Sequence, residues 1–238
     1  MTPASFSRRL LFMHPLLLLT LGFSLQADPN FTTLFDGKTL DNWDGDPRFW
    51  RVEDGAIVGE TTPDNRTAAN TLLIWEGGAV SDFELKVDFK LRNHNSGIQY
   101  RSFRVDGQPW TVGGYQADIA ENPDYRGIAY GERHKGILAH RGQKTLVGES
   151  GTKPEVIAQL GDSDEILAAI NMEGWNTYHI IAQGNQCIQL INGVVVAEFY
   201  EHADDRLTSG LLALQLHQGP PMQVKFRNIR LRRLEAGD

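Results

Sequence analysis

From Phe31 onward, apolar residues recur with a period of two in short runs, and turn residues separate the runs. Trp50–Val52 and Ala56–Gly59 flank Glu53-Asp54-Gly55, and Asn192-Gly193 joins Cys187–Ile191 to Val194–Tyr200. Asp-Gly and Asn-Gly tolerate the left-handed backbone of a tight hairpin, so both segments read as hairpins. Further strands are expected at Phe31–Phe35, Thr71–Trp75, Phe83–Leu91, Gly97–Phe103, Gly114–Ala120, Gly136–His140 and Lys144–Val147. They resume at Tyr178–Ala182, Leu211–Leu216 and Val224–Leu234. Pro154–Ile170 breaks the pattern. Asp162 stands three residues before Glu165 and ahead of Ile166-Leu167-Ala168-Ala169-Ile170, the layout of a capping box that opens a short helix. Many short, evenly spaced strands and one helix predict an all-β fold, an antiparallel β-sandwich with one short helix.

The first residues obey a different pattern. Arg8 and Arg9 precede an apolar run from Leu10 to Leu25, and the small Ala27 comes before the acidic Asp28. Met1–Ala27 is therefore expected to be a secretory signal peptide, and residues 28–238 one domain, exported to the periplasm or the extracellular space. His14 and Pro15 interrupt a run already short of the roughly 20 apolar residues that a membrane span needs, so no membrane insertion is expected after signal removal. The pair Arg8-Arg9 before Leu-Leu-Phe also has a faint twin-arginine character. Without these two arginines the formal charge moves from -7 to -9, which disfavours nucleic acid and anionic membranes as partners. The single Cys187 cannot form an internal disulfide and lies among Ile188, Leu190 and Ile191, where it reads as a small core residue.

Polar positions in the alternation are most unusual between Leu91 and Glu132. In Gly97–Arg101 the apolar Ile98 and Tyr100 point one way, and Gln99 and Arg101 the other; in Tyr115–Ile119 the outward positions are Gln116 and Asp118. Later, Leu212, Leu214 and Leu216 alternate with Gln215 and His217. A solvated sheet face with an Arg–Asp pair would account for any one of these residues. Together they form a cluster with hydrogen-bonding reach. Asn95-Ser96-Gly97 opens the first strand with small residues that let a ligand approach the backbone. Trp110, Tyr115, Tyr125 and Tyr130 offer stacking faces, and amides interleaved with aromatics suit a sugar better than a lipid or a nucleic acid.

Five phrases, in order, carry a resemblance. Leu34-Phe35-Asp36-Gly37-Lys38-Thr39-Leu40-Asp41-Asn42-Trp43, Trp50-Arg51-Val52-Glu53-Asp54-Gly55, Asn95-Ser96-Gly97-Ile98-Gln99-Tyr100-Arg101, Trp175-Asn176 with Ile191-Asn192-Gly193, and Phe226-Arg227-Asn228-Ile229 resemble the 3-keto-disaccharide hydrolase family. The resemblance runs from about Phe31 to Leu234 and implies a concanavalin A-like jelly roll with its ligand on the concave face. It also implies cleavage of glycosides whose sugar has first been oxidised at C3. Such a ketone makes the C2 proton acidic, and its removal lets the C1 oxygen leave by elimination before water completes a net hydrolysis.

That chemistry needs a base near C2, a donor for the oxyanion and an acid for the leaving oxygen. Asp118, Glu132, His134 and His217 are the acid–base candidates, and Arg101 the oxyanion donor. Asn95, Gln99, Gln116, Tyr130, Gln215 and Trp110 are the candidates for holding the sugar. No cofactor and no metal is expected: Asp41, Asp44 and Asp46 lack calcium-loop spacing and a closing Glu, and the histidines are too scattered for zinc. Two alternatives stand beside this reading. One is a carbohydrate-binding module without catalysis. The other is a retaining glucanase, whose strand motif Glu-x-Asp-x-x-Glu is matched by Gln116-Ala117-Asp118-Ile119-Ala120-Glu121 except at the nucleophile, where an amide cannot form a glycosyl-enzyme.

Overall fold

The computed structural model describes residues 29–235; the leader expected over Met1–Ala27 lies outside them. In chain order the strands are β1 (Thr32–Thr33), β2 (Trp43–Asp44), β3 (Trp50–Glu53), β4 (Ala56–Glu60), β5 (Thr71–Trp75), β6 (Phe83–Arg92), β7 (Asn95–Val105), β8 (Gln108–Ala120) and β9 (Ala129–Glu132). There follow β10 (Gly136–Ala139), β11 (Gln143–Val147), β12 (Glu155–Gln159), helix α1 (Ser163–Ala168), β13 (Asn176–Gln183), β14 (Gln186–Ile191), β15 (Val194–Glu201), β16 (Leu211–Leu216) and β17 (Gln223–Arg233). A ten-stranded sheet has the order β12-β11-β15-β14-β13-β6-β17-β4-β3, with β1 alongside β17. A seven-stranded sheet has the order β10-β9-β8-β7-β16-β5-β2. Strand pairs are antiparallel except β11 with β15.

The two-residue alternation builds the core. Along β6 and β13 every second residue is buried, and Phe83, Leu85, Val87 and Phe89 face inward with Tyr178 and Ile180. The seven-stranded sheet answers with Ile98 and Tyr100, Tyr115 and Ala117, and Leu212, Leu214 and Leu216. Aromatic rings interlock across the gap: Phe83 lies 6.2 Å from Tyr100, and Tyr115 lies 5.1 Å from Phe199, both edge to face. Each such buried side chain stabilises the sandwich by about 1.5–3 kcal/mol relative to exposure. The hairpin turns take the backbone that their residues allow, with φ of 51° and 73° at Asp54-Gly55 and 51° and 82° at Asn192-Gly193.

The segment Pro154–Ile170 is helical only at its end. Asp162 caps α1, accepting from the backbone N–H groups of Asp164 and Glu165, but Glu155–Gln159 is a strand paired with β11. An open edge of β11 offers unpaired ladder groups, and this non-local pairing prevails over the local pattern. With the cores of both sheets turned toward each other, the outward positions of β7, β8, β9 and β16 share the outer face of the seven-stranded sheet.

Candidate functional site

A cleft of ≈ 570 Å³ opens on that outer face. Its floor comes from outward positions that lie side by side: Gln116 is paired in register with Gln99 and Tyr130, and Gly97 with Asp118 and Gln215. Asn95, Tyr130, Glu132 and His217 complete the polar lining, with Ile128, Ile137, Asn122 and Tyr125 on the wall beyond. Seven of the residues expected from sequence thus meet here: Asn95, Gln116, Asp118, Tyr130, Glu132, Gln215 and His217.

The floor is a relay of buried amides. Gln116 Oε1 accepts from Gln99 Nε2 at 2.7 Å and from Gln215 Nε2 at 2.8 Å, and Gln116 Nε2 donates to Asp118. Gln99 joins this network from the neighbouring strand and does not itself line the cleft. Gly97 makes the arrangement possible, because a Cβ there would lie 2.5 Å from the Gln116 side chain. Asp118 is 5% exposed, and among the described residues it has no cationic partner. Burial pushes its carboxyl up to about 7; the Gln116 amide opposes the shift and the nearby Glu132 adds to it. Burial also raises Glu132, against the pull of Arg133, and raises Tyr130, which keeps its phenol a donor.

At one end of the floor His94 and His217 meet edge to face, with ring centroids 4.7 Å apart. Both point a ring nitrogen at the carbonyl of Gln218, His217 Nδ1 at 2.6 Å and His94 Nε2 at 2.8 Å. His94 Nε2 also lies 3.1 Å from His217 Nδ1. A carbonyl only accepts, so a hydrogen assigned to His217 Nδ1 satisfies the shorter contact and leaves the lone pair on Nε2. Burial lowers the His217 pKa, opposed by the Gln218 carbonyl and aided by His94, so the ring is neutral at pH 7. His94 is a residue that the alternation did not reveal. It sits in the crossover from β6 to β7, where Asn93 and His94 both have left-handed φ, and its ring rests on Gly219, whose absent Cβ would lie 2.5 Å from His94 Nε2.

Three expected residues lie elsewhere. Arg101 does not face the cleft. Its φ of 45° and the register shift between Tyr100 and Phe103 mark a bulge that breaks the alternation and turns the side chain away. The guanidinium is buried among Ser81 O at 2.8 Å, Gly184 O at 2.8 Å, Leu207 O at 3.3 Å and the Asp82 carboxylate at 2.9 Å, and so joins the two sheets. His134 also turns inward, against Tyr115 and 3.4 Å from Glu201, in a buried group that includes Lys135 at 2.5 Å from the same carboxylate. Trp110 donates to Asp44 at 2.9 Å outside the cleft. The acidic turn has protein partners too: Asp46 pairs with Arg48 at 2.5 Å, and Asp44 also meets Arg104.

The geometry also bears on the glucanase comparison. Gln116 occupies the nucleophile position as an amide, and Glu121, at the acid/base position, accepts from the backbone N–H of His94 and does not line the cleft. The arrangement can therefore hold a sugar ring against amides and a tyrosine, and offers one carboxyl group near neutrality for proton transfer.

Solved structures share this architecture. A provisionally assigned glycosyl hydrolase from Parabacteroides distasonis is 21% identical with a TM-score of 0.57, over 86% of this chain and 99% of that one. A protein of unknown function with a galectin-like fold from Bacillus subtilis is 10% identical with a TM-score of 0.55, over 82% and 90%. The carbohydrate-binding module CBM66 from the same organism is 14% identical with a TM-score of 0.50, over 80% and 95%. At these identities the likeness shows the jelly-roll, galectin-like fold. No protein of curated function matches the chain in sequence. A family model does, over residues 30–232, and by that match the chain belongs to the family of the 3-keto-alpha-glucoside-1,2-lyase-like domain.

Proposed function

We propose that the cleft cleaves glycosides whose sugar carries a ketone at C3. Asp118 takes the C2 proton, and the electron pair of that C–H bond forms an enediolate with the C3 oxygen. The enediolate returns to the ketone as the C1–O bond breaks, leaving a C1=C2 double bond and an alkoxide that takes up a proton. Water then adds at C1 as C2 is reprotonated, so the sum is a hydrolysis. The observation that carries this reading is the burial of Asp118 on the cleft floor without a cation, which holds its carboxyl at about 7. A base is most effective when its pKa lies near the working pH. An ordinary carboxylate would be a far weaker base.

With Arg101 elsewhere, the enediolate oxygen meets neutral donors, and the amide of Asn95 and the hydroxyl of Tyr130 are two that line the cleft. His217 Nε2 accepts from a sugar hydroxyl beside Asp118. Family membership supports a carbohydrate-active role, and the cleft supports the finer reaction. We also propose export, supported by the signal-like Met1–Ala27. The reading is tested by offering the purified protein one disaccharide in two forms, with and without a C3 ketone. Turnover of the oxidised form alone is expected. Turnover of the unoxidised form would favour an ordinary glycosidase, and binding of either without turnover would favour a carbohydrate-binding module.

A further inference from the structure

A second, smaller cavity of ≈ 170 Å³ adjoins the cleft. Glu132 and Gln215 line both, so they form the partition between them. The chain at His217-Gln218 also serves both sides, His217 lining the cleft and Gln218 the smaller cavity. The two compartments differ in character. The cleft holds the base, whereas the smaller cavity has an apolar floor of Leu72 and Val112, buried with Ile74 and Ala213, under a polar rim of Asn70, Thr111 and Arg133.

We propose that the smaller cavity receives the leaving group, a single sugar-sized polyol, and that Glu132 hands a proton to the departing oxygen. The assignment rests on the reading of the cleft given above. With the oxidised ring over Asp118 and the leaving sugar in the smaller cavity, the bond to be broken crosses the partition between them, and Glu132 is the carboxyl on that partition. As the C1–O bond breaks, the O–H bond of Glu132 breaks and a new one forms on the leaving oxygen. When water adds at C1, its proton restores Glu132, and Asp118 returns its proton to C2, so every proton is accounted for.

Gln215 supports the placement. It is 1% exposed, its Nε2 is spent on Gln116, and among the described residues its Oε1 has no partner. A buried acceptor left open at the junction costs stability unless a ligand hydroxyl fills it. An apolar floor under amide and hydroxyl groups fits one face and the rim of a pyranose. Burial raises Glu132 as it raises Asp118, and the two neighbouring carboxyls hold one proton between them; the reactive form is the one with that proton on Glu132 and Asp118 ionised.

Two variants test the proposal with two oxidised substrates, a 3-keto-disaccharide and a nitrophenyl 3-keto-glucoside whose leaving group needs no proton. Glu132→Gln keeps the shape of the side chain. It should lose about 10²–10⁴ in turnover of the disaccharide, and at least about tenfold less than that with the nitrophenyl compound. Equal losses on both, or no loss on either, would overturn the acid role. Ala69→Trp fills the smaller cavity from an exposed loop position. It should raise KM for the disaccharide and leave KM for methyl 3-keto-glucoside in place. An equal effect on both would overturn the leaving-group site alone, whereas a wild type inert toward every oxidised substrate would remove the function on which it rests.

Discussion

Replacing Arg101 by alanine separates a structural role from a catalytic one. The side chain is 2% exposed and makes four hydrogen bonds, three to backbone carbonyls and one to the Asp82 carboxylate. Alanine and arginine bear the same left-handed strain at φ 45°, so the comparison reports the guanidinium and not the backbone. Removing one partner of a buried ion pair costs about 3–5 kcal/mol, and Asp82, 19% exposed, recovers part of its hydration. A loss of about 3–4 kcal/mol is expected, or roughly 6–16 °C in Tm for a domain of this size. Urea and thermal unfolding followed by circular dichroism would measure it. Turnover and sugar binding, read well below the midpoint, should be close to wild type. An unchanged midpoint with lost turnover would refute the placement of Arg101 between the sheets and return it to the cleft.

Four other expectations concern the site and its support. With the nitrophenyl substrate, whose departure needs no acid, activity should rise with pH through about 7 as Asp118 ionises, whereas the disaccharide profile should turn down as Glu132 loses its proton. Asp118→Asn should abolish turnover and the rising limb. Stability should move the other way. The folded state binds the Asp118 proton more tightly than the unfolded chain, so stability falls as pH rises from the ordinary value of 3.8 through about 7; a slope unaltered in Asp118→Asn would contradict this. Gly97→Ala should displace the Gln116 amide and cost about 1–3 kcal/mol, with weaker sugar binding by calorimetry, and wild-type affinity in that variant would show that the amide relay is not needed. Glu201→Ala, which strips the buried Lys135, Tyr115 and His134 of their common partner, should lower the unfolding midpoint by an amount equivalent to about 3–5 kcal/mol and leave sugar affinity unchanged.

The alternation carried most of this site. Gln116 and Asp118 on one strand, and Gln215 on another with His217 just past its end, share a face because strand periodicity is two and no irregularity falls among them, and the leucines opposite show which face is core. The same rule failed at Arg101, where a bulge and a left-handed φ reverse the direction of one side chain, and neither leaves a mark in residue type. His134 turns inward, away from the cleft, for a related reason. It follows Arg133, whose φ is 51°, in the turn after β9, and a turn has no parity to extrapolate. His94 was out of reach, since its neighbour His217 is 123 residues away and only the fold brings them together. The strand Glu155–Gln159 depends likewise on an edge that exists only once β11 has joined the sheet. The smaller cavity, built from the Ala69–Leu72 segment, β8 and the end of β16, is tertiary in the same sense.

The central claim is that the C2–H bond of a 3-keto sugar breaks in this cleft, and deuterium at C2 tests it most directly. A 3-keto-disaccharide labelled there and turned over in ordinary water should react more slowly than its unlabelled twin, or yield a 3-keto product that has lost the label to solvent. Full retention of deuterium with no isotope effect would show direct displacement at C1, and would contradict the assignment of Asp118 as the base.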